Sequence, residues 1–253
     1  MKPAVKKVEL GIASESYNDA RIISVLVRKI ISSSFPQVKI HFVQKGFIDT
    51  NGRINKFKIK DIKEHFSKLN ISKKIEIVII CTDEDKGIGD SKVDLDKEVQ
   101  KQNFEEIIII VKPKENIEGW LLRDIKAVNE ILNTQHAVIS SRDISKAKTI
   151  LDKWIKEQGL EIEKVKLQIA EHINIDRLSA EEFLGFTHDL KRAVSTLENV
   201  SSKKKKGKNK VLRPVQKVKK LSRWIIKKII KRRKLKRRNK LKGGDRNGNI
   251  LHI

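Results

Sequence analysis

Hydrophobic and polar positions follow two regimes along this chain. In the first half four short apolar runs stand apart: VKKVELGIA (5–13), VKIHFV (38–43), IEIVIIC (75–81) and EIIIIV (106–111). The last two are continuously apolar and rich in isoleucine, the pattern of parallel strands covered on both faces. Two intervening stretches keep a helical period, with Ile22, Val25, Leu26, Lys29 and Ile30 in 18–34 and Phe57, Ile59, Ile62, Phe66 and Leu69 in 57–69. Strands and helices alternating at these intervals predict right-handed βαβ crossovers and an α/β fold, a mostly parallel four-stranded sheet flanked by helices.

After Pro113 the period is helical only, through 116–132, 143–159, 163–173 and 179–198. The expected organisation is an α/β domain over 1–115, a helical subdomain over 116–200 packed on it, and a basic tail over 201–253. The tail opens as SSKKKKGKNK, a low-complexity stretch that reads as a linker or disordered arm. The length of 253 residues suits one large domain, or a domain with a smaller appendage.

Charge changes the picture through its position. The formal net charge is +25, yet residues 203–253 hold 23 Lys or Arg against one acid, so 1–202 is close to neutral at +3. The single cysteine, Cys81, excludes a disulfide framework and fits a reducing, cytoplasmic setting. The opening MKPAVKKVELGIAS reaches Glu9 before any long apolar stretch, which argues against a signal peptide. No apolar run approaches the roughly 20 residues of a membrane helix.

With the body neutral, its local acids become informative. The run IEIVIICTDEDKG (75–87) ends on Asp83, Glu84 and Asp85. Ligands of open α/β sheets bind outside the carboxyl ends of the strands. Asp83 and Asp85 project to one side of an extended chain. Like charges so placed need a cation between them or a proton on one. Mg²⁺ suits such a site because it takes few protein carboxylates and keeps waters and phosphate oxygens. A competing reading makes Thr82 a helix N-cap with Asp85 in the first turn. The first strand ends in the same manner, with Glu15 just past it and Asp19 in the opening turn of the next helix. Parallel strands would bring Glu15 to the edge that carries Asp83 and Asp85, although a capping acid near a helix start would look the same.

Other chemistries fit poorly. A calcium loop starting at Asp83 would want an acid at Gly87, Gly at Ile88 and Glu at Asp94. No Walker A motif occurs, so the chain is not expected to hydrolyse ATP by itself. One cysteine and six scattered histidines make a zinc site a poor fit.

A strand ending in Glu with a downstream Asp, then another ending in Asp-x-Asp, resembles the TOPRIM domain of topoisomerases, primases and OLD-type nucleases. IEGWLLRDIKAVNEIL (117–132), KAKTILDKWIKE (146–157) and IAEHINIDRLSAEEFLGF (169–186) resemble small TOPRIM-like proteins encoded beside ATPases in bacterial defence loci. The likeness covers about residues 8–198 and excludes the tail. It implies Glu15, Asp83 and Asp85 as catalytic residues and ligands of Mg²⁺ or Mn²⁺. Asp19 matches the acid after the glutamate turn, and Glu118 matches the Glu of a Glu-x-Trp element from which it would line the site. Trp120 is expected in the core. The glycine that usually follows the glutamate is Ser16 here. The implied activity is metal-assisted phosphodiester cleavage by a nuclease, a defence effector with a separate ATPase partner. The alternative is a non-catalytic nucleic-acid-binding or regulatory subunit that keeps the fold.

The tail adds a partner class. An unbalanced basic segment follows a polyanion through counterion release, with strong salt dependence and little sequence preference. Candidate nucleic-acid contacts are Lys203, Lys204, Lys205, Lys206, Arg223, Lys227, Lys228, Arg232, Arg233, Arg237 and Arg238. Trp224, Ile225, Ile226, Ile229 and Ile230 would give a basic helix an apolar patch, which also suits an anionic membrane surface or a partner protein. The nucleic-acid arm is the leading reading.

Overall fold

The computed structural model describes residues 6–50, 54, 58–70, 74–83, 92–114, 116–140 and 143–206. Strands β1 (Lys6–Ser14), β2 (Val38–Asp49), β3 (Ile77–Cys81) and β4 (Ile107–Val111) lie in one sheet in the order β2-β1-β3-β4. Each neighbouring pair is parallel. Helices α1 (Tyr17–Ser34), α2 (Lys58–Asn70) and α3 (Lys92–Gln102) alternate with the strands. Then follow α4 (Asn116–Leu121), α5 (Ile125–Leu132), α6 (Ala147–Glu157), α7 (Ile162–His172) and α8 (Glu181–Lys206). The fold is α/β, a parallel sheet flanked by helices. No helix among the described residues is long and apolar enough to cross a membrane.

The period-2 alternation of the strands sorts the core into two layers. Val8, Leu10 and Ile12 of β1 face the same side as Ile77, Ile79 and Cys81 of β3, and they pack with α1 and with helices beyond residue 116. Ala13, Val78, Ile80 and Ile110 face the other side, against Ile59, Ile62 and Phe66 of α2 and Leu95 of α3. Every residue of β3 is buried, as its unbroken apolar run predicts. Trp120 is 1% exposed, edge-on to Phe183 at 5.1 Å and stacked with Phe186 at 6.2 Å. Trp120, Leu151, Ile169 and Phe183 join the same cluster as Leu10 and Ile79, so the later helices share the sheet's core. These elements belong to one compact unit, Met1–Lys203, with Lys204–Ile253 as a second.

Several boundaries differ from the sequence expectation. Strand β2 runs on past Val43 to Asp49. Its register against β1 jumps from Leu10↔Phe42 to Ile12↔Phe47, so extra residues bulge out of the ladder. Gly46 sits in that bulge, where an added Cβ would lie 2.7 Å from the Val43 carbonyl oxygen. The periodic stretch 116–132 is two helices instead of one. Helix α4 closes with tight bonds from the Arg123 amide to Trp120 and from the Asp124 amide to Leu121. The Asp124 carboxylate, 2% exposed, then accepts the Asn174 amide at 2.7 Å and Arg177 at 3.0 Å. That long-range anchoring lies beyond the reach of local periodicity. Helix α3 carries only a weak apolar stripe, which hides it in the sequence. At the other end, residues 201–206 extend α8 and are not the start of a linker. Between Gly185 and Gly207 the sequence has no Gly or Pro, and lysines in a last turn favour the helix dipole.

Candidate active site

The strand order reverses direction between β1 and β3. The chain passes from β1 to β2 on one side, then crosses back to β3 and β4 on the other. Such a switch point opens a crevice at the carboxyl ends of the two strands. Ser14 pairs with Cys81 at the last step of the β1–β3 ladder, so Glu15 and Thr82 leave the sheet side by side. The parallel pairing expected for the two acidic strand ends is present. It brings Glu15 and Asp83 to one edge.

Glu15 is held from both sides of that crevice. The Thr82 hydroxyl donates to Glu15 Oε1, and the Ile54 amide approaches the same oxygen at 3.3 Å. Thr82 is 1% exposed and gives its proton to a carboxylate across the sheet, which disfavours its reading as a helix N-cap. Ser16 is the residue that caps a helix. Its hydroxyl accepts the Asp19 amide at 3.2 Å at the start of α1. Its backbone is extended, with φ −139° and ψ 156°, so this turn has no need of a glycine.

Four carboxylates act on one another electrostatically near these strand ends. Burial raises Asp83, and the negative charges of Asp19, Glu15 and Glu118 raise it further, to about 7. Burial raises Asp19 as well; Ser16 lowers it, and the charges of Glu118 and Glu15 add to the rise. Lys148, at the start of α6, opposes both shifts. Beneath them the Cys81 thiol is pushed well up by burial and by Asp19, Asp83 and Glu15. This is the electrostatic signature of a site that has collected negative charge in excess of its cations.

Glu118, on α4, is 6% exposed. Lys166 of α7, 3% exposed, donates to Glu118 Oε1 at 2.6 Å and lies 2.7 Å from Asp152 Oδ1 of α6. Burial alone would lower the Lys166 ammonium, but the charge of Glu118 and the pairing with Asp152 outweigh it and the pKa is raised.

The donors suit a hard divalent cation in kind, being carboxylate oxygens only, and Mg²⁺ needs just one or two from protein. Among the described residues no group of three His, Cys, Asp or Glu side chains is arranged to hold a metal ion. Asp85 lies outside the described residues, as do Arg223, Lys227, Lys228, Arg232, Arg233, Arg237 and Arg238 of the tail. Lys203, Lys204, Lys205 and Lys206 fall on the last turns of α8.

Sequence reasoning missed Thr82 as the partner of Glu15, and it missed Lys148, Asp152 and Lys166. One signal was available for Lys166. It occupies the apolar stripe Ile162, Val165, Lys166, Ile169, Ala170, Ile173, where a helical period calls for a core residue. Lys148 and Thr82 carried no such signal, because only the tertiary fold places them. No family model matches the chain, and it matches no curated protein and no solved structure.

Proposed function

We propose that this protein is a metal-dependent nuclease of TOPRIM-like type that cleaves nucleic-acid phosphodiesters, acting as a defence effector with a separate ATPase. One observation carries the reading. The parallel β1–β3 pair brings Glu15 and Asp83 to the switch-point edge, where burial, with the charges of Asp19, Glu15 and Glu118, raises Asp83 to about 7. Buried like charges at a strand-end crevice are stabilised by a cation. Bound Mg²⁺ or Mn²⁺ would supply a low-pKa water and Lewis-acid stabilisation of the phosphoryl oxygens. On the protein's side, Thr82 and the Ile54 amide orient Glu15, and Asp83 releases its proton near neutral pH. Lys148 offers positive charge near the acids for an incoming phosphate. The basic tail would hold the polyanion by counterion release.

A second reading has its own support. Because no described trio of side chains is arranged around one ion, a non-catalytic nucleic-acid-binding or regulatory subunit of the same fold is the alternative. DNA and RNA substrates incubated with Mg²⁺ or Mn²⁺ separate the two. We expect cleavage that drops about a hundredfold or more in Glu15→Gln and in Asp83→Asn, the size typical of a lost acid–base group. Cleavage surviving both substitutions means that the site is wrongly assigned. Tight nucleic-acid binding without cleavage under either metal favours the second reading.

A further inference from the structure

The bulge in β2 gathers aromatic rings on the α1 side of the sheet. Phe42 and Phe47 are five residues apart, so in an uninterrupted strand they would point to opposite faces. The register jump instead sets them opposite Leu10 and Ile12, neighbours on one face of β1. A bulge re-aims side chains in this way, and the two rings meet edge-on at 5.6 Å. Tyr17, the first residue of α1, packs on Phe47 at 6.0 Å and stays 53% exposed. At the far end the exposed Arg28 guanidinium lies 4.9 Å over the Phe42 ring. Tyr17 and Arg28 stand about three turns apart on one face of α1, a span of ~16 Å. Among the described residues no carboxylate pairs with Arg28.

This strip begins at the acidic edge. Tyr17 follows Glu15 by two residues, and β2 reaches the same edge where Asp49 pairs with Ser14. Rings that serve packing alone are enclosed here, as Trp120, Phe66 and Phe183 are. A single exposed apolar side chain needs no explanation. The chain's one tyrosine, continuous with two half-buried rings and an exposed guanidinium beside a strand-end site, is a different case. We infer that Tyr17, Phe47, Phe42 and Arg28 form a stacking track for single-stranded nucleic acid, with Tyr17 the platform for the base next to the acidic edge and Arg28 a phosphate contact. The inference rests on the nucleic-acid reading above. Every base has a π-face, so such a track tolerates any sequence. Phe47 backs the Tyr17 ring, and Phe42 holds the guanidinium by its face and leaves the N–H edge for a phosphate. A duplex keeps its base faces inside the stack and offers Tyr17 nothing unless a base is flipped out.

Stacking and charge leave different marks on binding. The full chain is titrated with fluorescent single-stranded DNA and RNA oligomers and with a DNA duplex, over a salt series without divalent metal so that no cleavage intervenes. We expect Tyr17→Ala to weaken single-strand binding about fivefold or more, by the same factor at every salt concentration, and to leave duplex binding unchanged. Tyr17→Phe keeps the π-face and should bind close to wild type. Arg28→Ala should instead flatten the single-strand salt slope by about 0.7, the share of one phosphate. Irradiation of wild-type protein with an iodouracil-bearing strand should give an adduct at Tyr17, mapped by mass spectrometry. Unchanged single-strand affinity in Tyr17→Ala, an equal loss on duplex, or adducts confined to the tail overturns the track. Should Tyr17→Ala fail to fold, Tyr17→Leu keeps the bulk without the aromatic face, and the same outcomes decide. Failure of the nuclease reading looks different. No cleavage with Mg²⁺ or Mn²⁺ would leave the Tyr17 adduct and the single-strand effect in place, whereas wild-type protein that binds no nucleic acid removes both.

Discussion

Asp83 carries the clearest consequence at the scale of a residue. An unfolded aspartate titrates near 3.9, whereas burial and the charges of Asp19, Glu15 and Glu118 bring Asp83 to about 7 in the folded chain. Between those values the native state holds a proton that the unfolded state has lost. Stability therefore falls as pH rises through the window from about 4 to about 7. In metal-free protein we expect the urea midpoint to decline more steeply over that range in the wild type than in Asp83→Asn. Added Mn²⁺ should restore much of the loss at the upper end, because a cation offsets the repulsion that the proton relieved. Parallel curves for the two proteins would mean that Asp83 does not titrate in this range. Ser16 teaches a related lesson at the same scale. Ser16 is compatible with the turn after β1 because the backbone there is extended and the side chain caps α1.

Among the elements, β1 depends on one glycine. A Cβ on Gly11 would stand 2.3 Å from Cε1 of Phe66 and 2.9 Å from its Cζ, and Phe66 is fully enclosed beneath α2. That ring is fully buried, so Gly11→Ala is expected to destabilise by about 1–3 kcal/mol through overpacking. Urea denaturation measures it, and Gly11→Ala/Phe66→Leu should recover part of the loss. A Gly11→Ala protein as stable as wild type would show that α2 slides freely over the sheet. Helices α4, α6 and α7 meet at the Glu118–Lys166–Asp152 triad, where loss of the lysine leaves the buried Glu118 carboxylate without its ammonium partner. Lys166→Ala should cost about 3–5 kcal/mol for that reason. A thermal midpoint equal to wild type would exclude a buried pair. Glu118→Gln is the gentler probe of the site.

For the whole molecule, the division of charge separates two roles. Residues 1–202 are nearly balanced, and 203–253 hold a net +22. Truncation after Lys206, which spares all of α8, should remove most salt-sensitive binding to DNA or RNA while leaving a folded body. The slope of log affinity against log salt should flatten accordingly, by about 0.9 for each duplex phosphate that the tail no longer neutralises. Unchanged binding and slope would defeat the arm reading, and sedimentation with anionic vesicles tests the membrane alternative.

The sequence by itself determined the α/β class, the buried central strand β3 and the acidic strand ends. Each of these is a local pattern, a period of two or 3.6 or an acid directly after an apolar run. Glu15 and Asp83 were legible for that reason, since a parallel sheet carries every strand end with known direction to one edge. The tertiary structure decided the rest. It set the strand order that opens a crevice between β1 and β3, broke 116–132 at the anchored Asp124, and bulged β2 around Gly46. It also brought Thr82 to Glu15 and Lys166 to Glu118, pairs separated by 67 and 48 residues. Side chains that far apart leave no periodic trace of their meeting. The core that brings them together exists only once the whole chain has packed.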